Sequence, residues 1–145
     1  MAIRRQDALG YQVGLLSRLF DRALEQHLSD FQVLPGQFPA LVMLYEQDGL
    51  TQADLCKRIQ VEQPTMANTL NRMERDGLIL RVPDPDDKRR VRAYLTDTAK
   101  GFKQDLMDKA REVPSQALKG LPTSEQDALF RQLAQMIENL KDDED

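Results

Sequence analysis

The chain has 145 residues and a net charge of −4, a length that suits one domain with a real core and is short for two independent ones. Hydrophobic residues at 41% and charged residues at 30% exclude a disordered chain, and no window is apolar enough to span a membrane or to serve as a secretory leader. A single Cys permits no internal disulfide, so an intracellular setting is the expectation.

Residues 7–30 predict a helix, with Leu9, Val13, Leu16, Phe20, Leu24 and Leu28 in one stripe. Leu34-Pro35 reads as the start of a second helix, with Pro in the first turn where its missing N–H costs nothing. That helix runs through Phe38, Leu41, Val42 and Leu44 and stops by Gly49. Thr51-Gln-Ala-Asp54 then fits a capping box for a short third helix holding Leu55, Cys56 and Ile59. After a tight connection at Gln60 to Glu62, a fourth helix starts near Pro64 and ends at Gly77, with Met66, Leu70 and Met73 on its inner face.

Leu78 to Val82 and Val91 to Leu95 alternate like strands and predict a β-hairpin with a long tip. Thr96 caps a long helix that carries Phe102, Leu106, Ala110 and Val113, and Pro114 is expected to kink it or end a segment of it. A last helix opens at Pro122-Thr123-Ser124-Glu125 and shows Leu129, Leu133, Met136, Ile137 and Leu140. The acidic end, KDDED, is expected to fray.

Charge is segregated along the chain. Residues 57–92 hold nine Lys and Arg against six Asp and Glu, a net +3, while the segments before and after carry −3 and −4. A positive middle between negative ends points to a polyanion as partner of the middle alone.

Short helix, tight turn, second helix and hairpin is the order of a winged helix-turn-helix. The outer face of the fourth helix carries Gln63, Pro64, Thr65, Asn68, Thr69 and Arg72, which together offer the donors and acceptors that reading base edges in a major groove requires. At about 1.5 Å per residue the helix is roughly 20 Å long, enough to lie along a groove. A merely solvated polar helix is the alternative. At the hairpin tip, Lys88, Arg89 and Arg90, with Arg92 beside them, suit entry into a narrow minor groove. Asp87, two residues from Arg89, is placed to orient its guanidinium through charge-assisted hydrogen bonds.

These segments resemble the multiple-antibiotic-resistance regulator (MarR) family of bacterial transcription factors over about residues 7 to 141. The resemblance lies in LTQADLCKRIQVEQPTMANTLNRMERDGLILR, in DPDDKRRVRAYLT and in the flanking helices, with Asp87-x-Arg89 and Leu95-Thr96 as the most specific elements. It implies a homodimer with intertwined N- and C-terminal helices, recognition helices in major grooves, wing arginines in the minor groove, and often a small anionic or phenolic effector that weakens DNA binding. Lys88 stands where many members carry Arg, Ala99 where many carry Gly, and Gln32 where Gly often precedes the second helix.

The residues support dimerisation separately. Leu9, Val13, Leu16 and Phe20 at one end, and Leu129, Leu133, Met136 and Leu140 at the other, are spaced near a heptad seam. Packing into the chain's own core is the alternative for either stripe. Together these readings give a mainly α fold with a small β-hairpin wing: one domain over 1–145, with a DNA-binding part at 34–96 and helical dimerisation parts at 7–30 and 97–141. The function expected is a regulator, a repressor by preference, that binds a pseudo-palindromic duplex as a twofold dimer.

An enzyme is disfavoured, because one His and one Cys leave no triad, zinc or phosphate-loop spacing, and no cofactor or metal is expected. Asp84-x-Asp86-Asp87 lacks the glycine and terminal Glu of a calcium loop. A winged helix used only for protein contacts remains the alternative, and it predicts an apolar outer face on the fourth helix. Cys56 suits core packing over redox sensing, and His27 suits an interface or surface over a metal. Tyr11, Phe38, Met43 and Tyr45 suit core packing, with a pocket between the dimer and DNA-binding parts as the alternative.

Overall fold

The computed structural model describes residues 4–141; residues 142–145 of the acidic tail lie outside the described residues. Seven helices and three strands follow one another as α1 (Leu9–Leu28), α2 (Phe38–Glu46), β1 (Leu50–Thr51), α3 (Gln52–Ile59), α4 (Gln63–Arg75), β2 (Ile79–Pro83), β3 (Val91–Leu95), α5 (Asp97–Gly101), α6 (Lys103–Ala117) and α7 (Thr123–Leu140). Short 3-10 turns flank α1 at Arg5–Ala8 and Ser29–Phe31. The result is the mainly helical, winged arrangement that the order of elements predicts.

Three boundaries differ from expectation. The second helix begins at Phe38, with Pro39 rather than Pro35 in its first turn. Leu34 to Gln37 instead form a turn, in which the Leu34 carbonyl accepts from Gln37 N–H at 2.9 Å and the Leu34 N–H donates to Gln37 Oε1 at 3.1 Å. The hairpin is part of a three-stranded antiparallel sheet in the order β1-β3-β2, with Leu50 opposite Ala93 and Leu80 opposite Tyr94. Two residues of β1 are too few to show an alternation in the sequence.

The helix after Thr96 is broken at Phe102, twelve residues before the expected site. Thr96 Oγ1 caps α5 by accepting from Ala99 N–H at 3.2 Å, as expected. Gly101 ends α5, and the Phe102 ring meets Phe31 edge-on with centroids 5.3 Å apart. Pro114 lies inside α6, and the helix continues to Ala117. A proline near a helix C-terminus removes one N–H donor from a ladder already close to its end.

The core sits where α2, α3 and α4 meet the sheet and the start of α6. Leu41, Leu44, Leu55, Leu70, Met73, Ile79 and Leu106 are fully buried there, and each such side chain stabilises the fold by about 1.5–3 kcal/mol relative to exposure. The inner face expected for α4, Met66, Leu70 and Met73, is the buried one. Only the C-terminal end of the α1 stripe joins this core, through Leu24 and Leu28. Leu9, Val13 and Leu16 remain exposed, and α7 buries no residue at all.

Gly77 and Gln32 both hold left-handed backbone conformations. Gly77 (φ +77) closes α4: its N–H donates to Glu74 O at 3.1 Å, and Leu78 N–H donates to Met73 O at 2.9 Å. That pair of bonds is a Schellman motif, and it turns the chain directly into β2. Gln32, standing where the resembling family often has Gly, adopts φ +58 without a glycine's freedom.

Candidate nucleic-acid interface

The helix-turn-helix is set by local hydrogen bonds. Thr51 Oγ1 accepts from Asp54 N–H at 3.1 Å and Asp54 Oδ2 accepts from Thr51 N–H at 3.1 Å, which is the reciprocal capping box. Gln60 takes a left-handed conformation, φ +61, and with Val61 sends its N–H back to the Cys56 carbonyl. The chain thereby reverses within three residues and delivers Gln63 as the first residue of α4, with Pro64 behind it.

Gln63, Pro64, Thr65, Asn68 and Arg72 are exposed along the outer face of α4, and Thr69 is half-buried. None of the large exposed apolar side chains lies on this helix, contrary to what a protein-contact face would show. Two members are less free than their residue types suggest. The Thr69 hydroxyl donates to the Thr65 carbonyl at 2.9 Å, so its outward capacity is as an acceptor. Gln63 Oε1 accepts from Gln52 Nε2 at 2.9 Å. Sequence reasoning missed Gln52 because the pair spans the turn and neither residue forms part of a periodic pattern.

The far end of α4 is tied down twice. Glu74 accepts from Arg81 Nη2 at 3.0 Å and from Arg81 N–H at 3.2 Å, joining the helix to β2. Hydrogen bonds from the Arg81 side chain, then from its backbone, hold the Glu74 carboxyl below its ordinary range. Asp76 accepts from Gln37 Nε2 at 2.9 Å, which links the helix end to the turn before α2.

The wing loop is built on a buried carboxylate. Asp84 is only 3% exposed; it accepts from Asp86 N–H at 2.8 Å and from Arg92 Nε at 3.1 Å. Arg92 also donates to the Gly49 carbonyl at 2.8 Å. Arg92 thus belongs to the base of the wing, where it clamps β3 to the α2–β1 connection, and not to the tip. The acidic cluster that resembled a metal loop is used the same way, and among the described residues no three His, Cys, Asp or Glu side chains gather as a metal site needs.

At the tip, Asp87 Oδ1 accepts from Arg89 Nε and Arg89 N–H, each at 3.1 Å, and Oδ2 accepts from Nη2 at 3.3 Å. Arg90 Nε lies 3.7 Å from the same carboxylate. Hydrogen bonds from the Arg89 side chain and backbone lower the Asp87 pKa, so the brace stays ionised well below neutral pH. The Arg89 side chain is nevertheless 90% exposed, and Lys88 and Arg90 are exposed beside it. Helix and wing converge: a cleft of about 210 Å³ is lined by Thr51, Gln52, Gln63, Arg89, Arg90 and Val91.

The other singled-out residues fall elsewhere. Cys56 is buried in the core, and burial, then the charge of Glu62, pushes its thiol pKa up, in keeping with a packing role. His27 bridges two helices, with Nδ1 donating to Ala23 O at 2.8 Å and Nε2 3.3 Å from Glu112 Oε2. Tyr45 packs on the core, donates to Ala99 O at 2.6 Å, and has its pKa pushed up to about 12 by burial. Met43 also packs on the core, whereas Tyr11 is exposed. Phe38 does line a pocket, of about 370 Å³, with Phe20 and Leu24 of α1 and Met107, Arg111 and Val113 of α6.

Comparison with known proteins gives a consistent picture. The model of the MarR family matches residues 34–91, from the turn before α2 into β3. The uncharacterized HTH-type transcriptional regulator YybA of Bacillus subtilis is 25% identical over 132 residues, covering 91% of this chain and 88% of that protein. The HTH-type transcriptional repressor NicR of Pseudomonas putida is 29% identical, covering 88% and 84%. Among solved structures, S. aureus MepR in complex with DNA superposes with a TM-score of 0.84 at 29% identity, covering 91% of this chain and 98% of that one.

Proposed function

This chain belongs to the MarR family of winged helix-turn-helix regulators, and from that membership we propose that it regulates transcription by binding duplex DNA through α4 and the wing. The observation that carries the reading is the convergence of the exposed Gln63 end of α4 with the braced Arg89 on one cleft. Gln63, Pro64, Thr65, Asn68, Thr69 and Arg72 serve the major groove, while Lys88, Arg89 and Arg90 serve the adjacent minor groove and phosphates, with Asp87 aiming Arg89. That the similar protein MepR was solved in complex with DNA supports DNA as the partner.

The assembly in this reading is a homodimer. The exposed Leu9 and Val13 of α1 and Leu133, Ile137 and Leu140 of α7 form apolar faces that a second copy covers, and a groove of about 480 Å³ runs between them. Apolar patches of this extent are rare on a soluble monomer. Two α4 helices related by a twofold axis then meet half-sites about one helical turn apart. Repression is the sign we favour, as in the repressor NicR, and the cytoplasm of a bacterium is the compartment it requires. The pocket between α1, α2 and α6 suits a small effector with an apolar body, and Arg111 suits an anionic group on it.

Selection of bound duplexes from a random pool tests the reading. A twofold-symmetric enriched sequence, whose affinity falls steeply with salt, is expected. No enrichment over the starting pool would overturn it.

A further inference from the structure

The recognition helix presents its first side chain with one end already occupied. Gln63 opens α4 and is exposed, yet its Oε1 accepts from Gln52 Nε2 at 2.9 Å. The backbone of Gln52 is fixed at the start of a helix. Gln52 is the first residue of α3, directly after the Thr51 of the capping box, and is half-buried. Both glutamines line the cleft that also holds Arg89 and Arg90, so the pair sits where a duplex is held in the proposed mode.

A free glutamine amide offers an acceptor and a donor side by side, the pattern that matches adenine N6 and N7. With its oxygen accepting from Gln52 Nε2, the Gln63 amide keeps both NH2 hydrogens available to the duplex. Two donors match two acceptors, which in the major groove means guanine O6 and N7. We infer that Gln52 is a positioning residue for base recognition: it sets the Gln63 amide as a donor and so makes this contact select guanine over adenine. The inference rests on the DNA-binding reading and adds to it a residue that need not touch DNA.

The test is duplex selection followed by competition binding, carried out on the full-length wild type, Gln63→Ala, Gln52→Met and Gln52→Glu. The base pair read by Gln63 is the one whose preference disappears in Gln63→Ala. Wild type is expected to prefer guanine there. Gln52→Glu places an acceptor where the donor was, so the amide flips to donate to it and turns Oε1 toward the base. The ratio of affinities for guanine and adenine is then expected to fall ten-fold or more. Gln52→Met frees the amide and is expected to give an intermediate ratio. Circular dichroism of each variant separates this from misfolding, and Glu suits the first turn of α3 in any case.

A change in affinity equal for all sequences, with the base ratio preserved, would overturn the role of Gln52. So would a wild-type preference for adenine at that position, or the absence of any position that depends on Gln63. Failure of the wild type to enrich any sequence would overturn the DNA-binding reading, and this inference with it.

Discussion

Gln37 is a buried polar link whose replacement has a calculable signature. It is 3% exposed, accepts from Leu34 N–H at 3.1 Å and donates from Nε2 to Asp76 Oδ2 at 2.9 Å. Gln37→Glu keeps the shape and the acceptor but sets a carboxylate oxygen against the Asp76 carboxylate. Two unit charges about 4 Å apart repel by about 4 kcal/mol at an effective dielectric constant near 20, and the lost hydrogen bond to a charged acceptor adds about 1.5–3 kcal/mol. The Asp76 side chain retains 26% exposure, so water screens the pair and lets it separate. A net loss of about 3 kcal/mol at pH 7 is expected after that discount.

The sign with pH follows from linkage. In the native protein, hydrogen bonds from Arg75 and then Gln37 hold the Asp76 carboxyl below its ordinary range. Its stabilising contribution is therefore complete at neutral pH and is lost only as pH falls through that lowered folded value. In the variant two carboxyls share one site, and the one that takes the proton has a raised folded pKa. The penalty is complete above that raised value and shrinks as pH falls through it, from 7 toward about 5, because the protonated acid regains a donor. Urea unfolding at fixed protein concentration, at both pH values, measures the difference. Gln37→Met, which loses the donor without adding charge, is expected to show a smaller deficit with no recovery over the same window. A Glu deficit that is equal at the two pH values, or no larger at pH 7 than that of Met, would refute the reasoning.

Arg89→Ala is expected to weaken binding to the selected duplex by ten-fold or more, about 1.4 kcal/mol for each decade, while sedimentation shows the dimer intact. Ile137→Asp buries a charge in the proposed α7 interface, and sedimentation velocity is expected to show monomers at micromolar concentration with helical circular dichroism retained. Gln32→Gly relieves a left-handed backbone at φ +58 and is expected to leave binding unchanged. Thermal or urea unfolding is expected to show a stability gain of about 0.5–1 kcal/mol, the relief of about 1–2 less the glycine entropy cost.

Features confined to a few adjacent residues were open to reading from the amino acids alone. Thr51 and Asp54 form the capping box that their spacing announces, Gly77 has the positive φ that a helix end before a strand calls for, and Asp87 holds Arg89 two residues away. Each depends on side chains and backbone within one turn, so neighbouring residue types suffice to specify it. The order of elements, and with it the winged fold, followed from hydrophobic periodicity for the same reason.

What escaped such a reading depended on partners far away in the chain. Arg92 looked like another tip arginine, but its partners are Asp84 and the carbonyl of Gly49, 43 residues earlier. Leu50 and Thr51 become a strand only because β3 lies beside them, and the break at Phe102 comes with its contact to Phe31. Gln52 and Gln63 are two ordinary polar residues until the turn between α3 and α4 brings their amides to 2.9 Å. Local propensity states which conformations a segment favours, whereas a hydrogen bond between distant segments exists only once the fold has brought both ends together. The groups proposed to meet DNA were thus chosen by residue type, while tertiary contacts decided which of their donors and acceptors are already engaged within the chain.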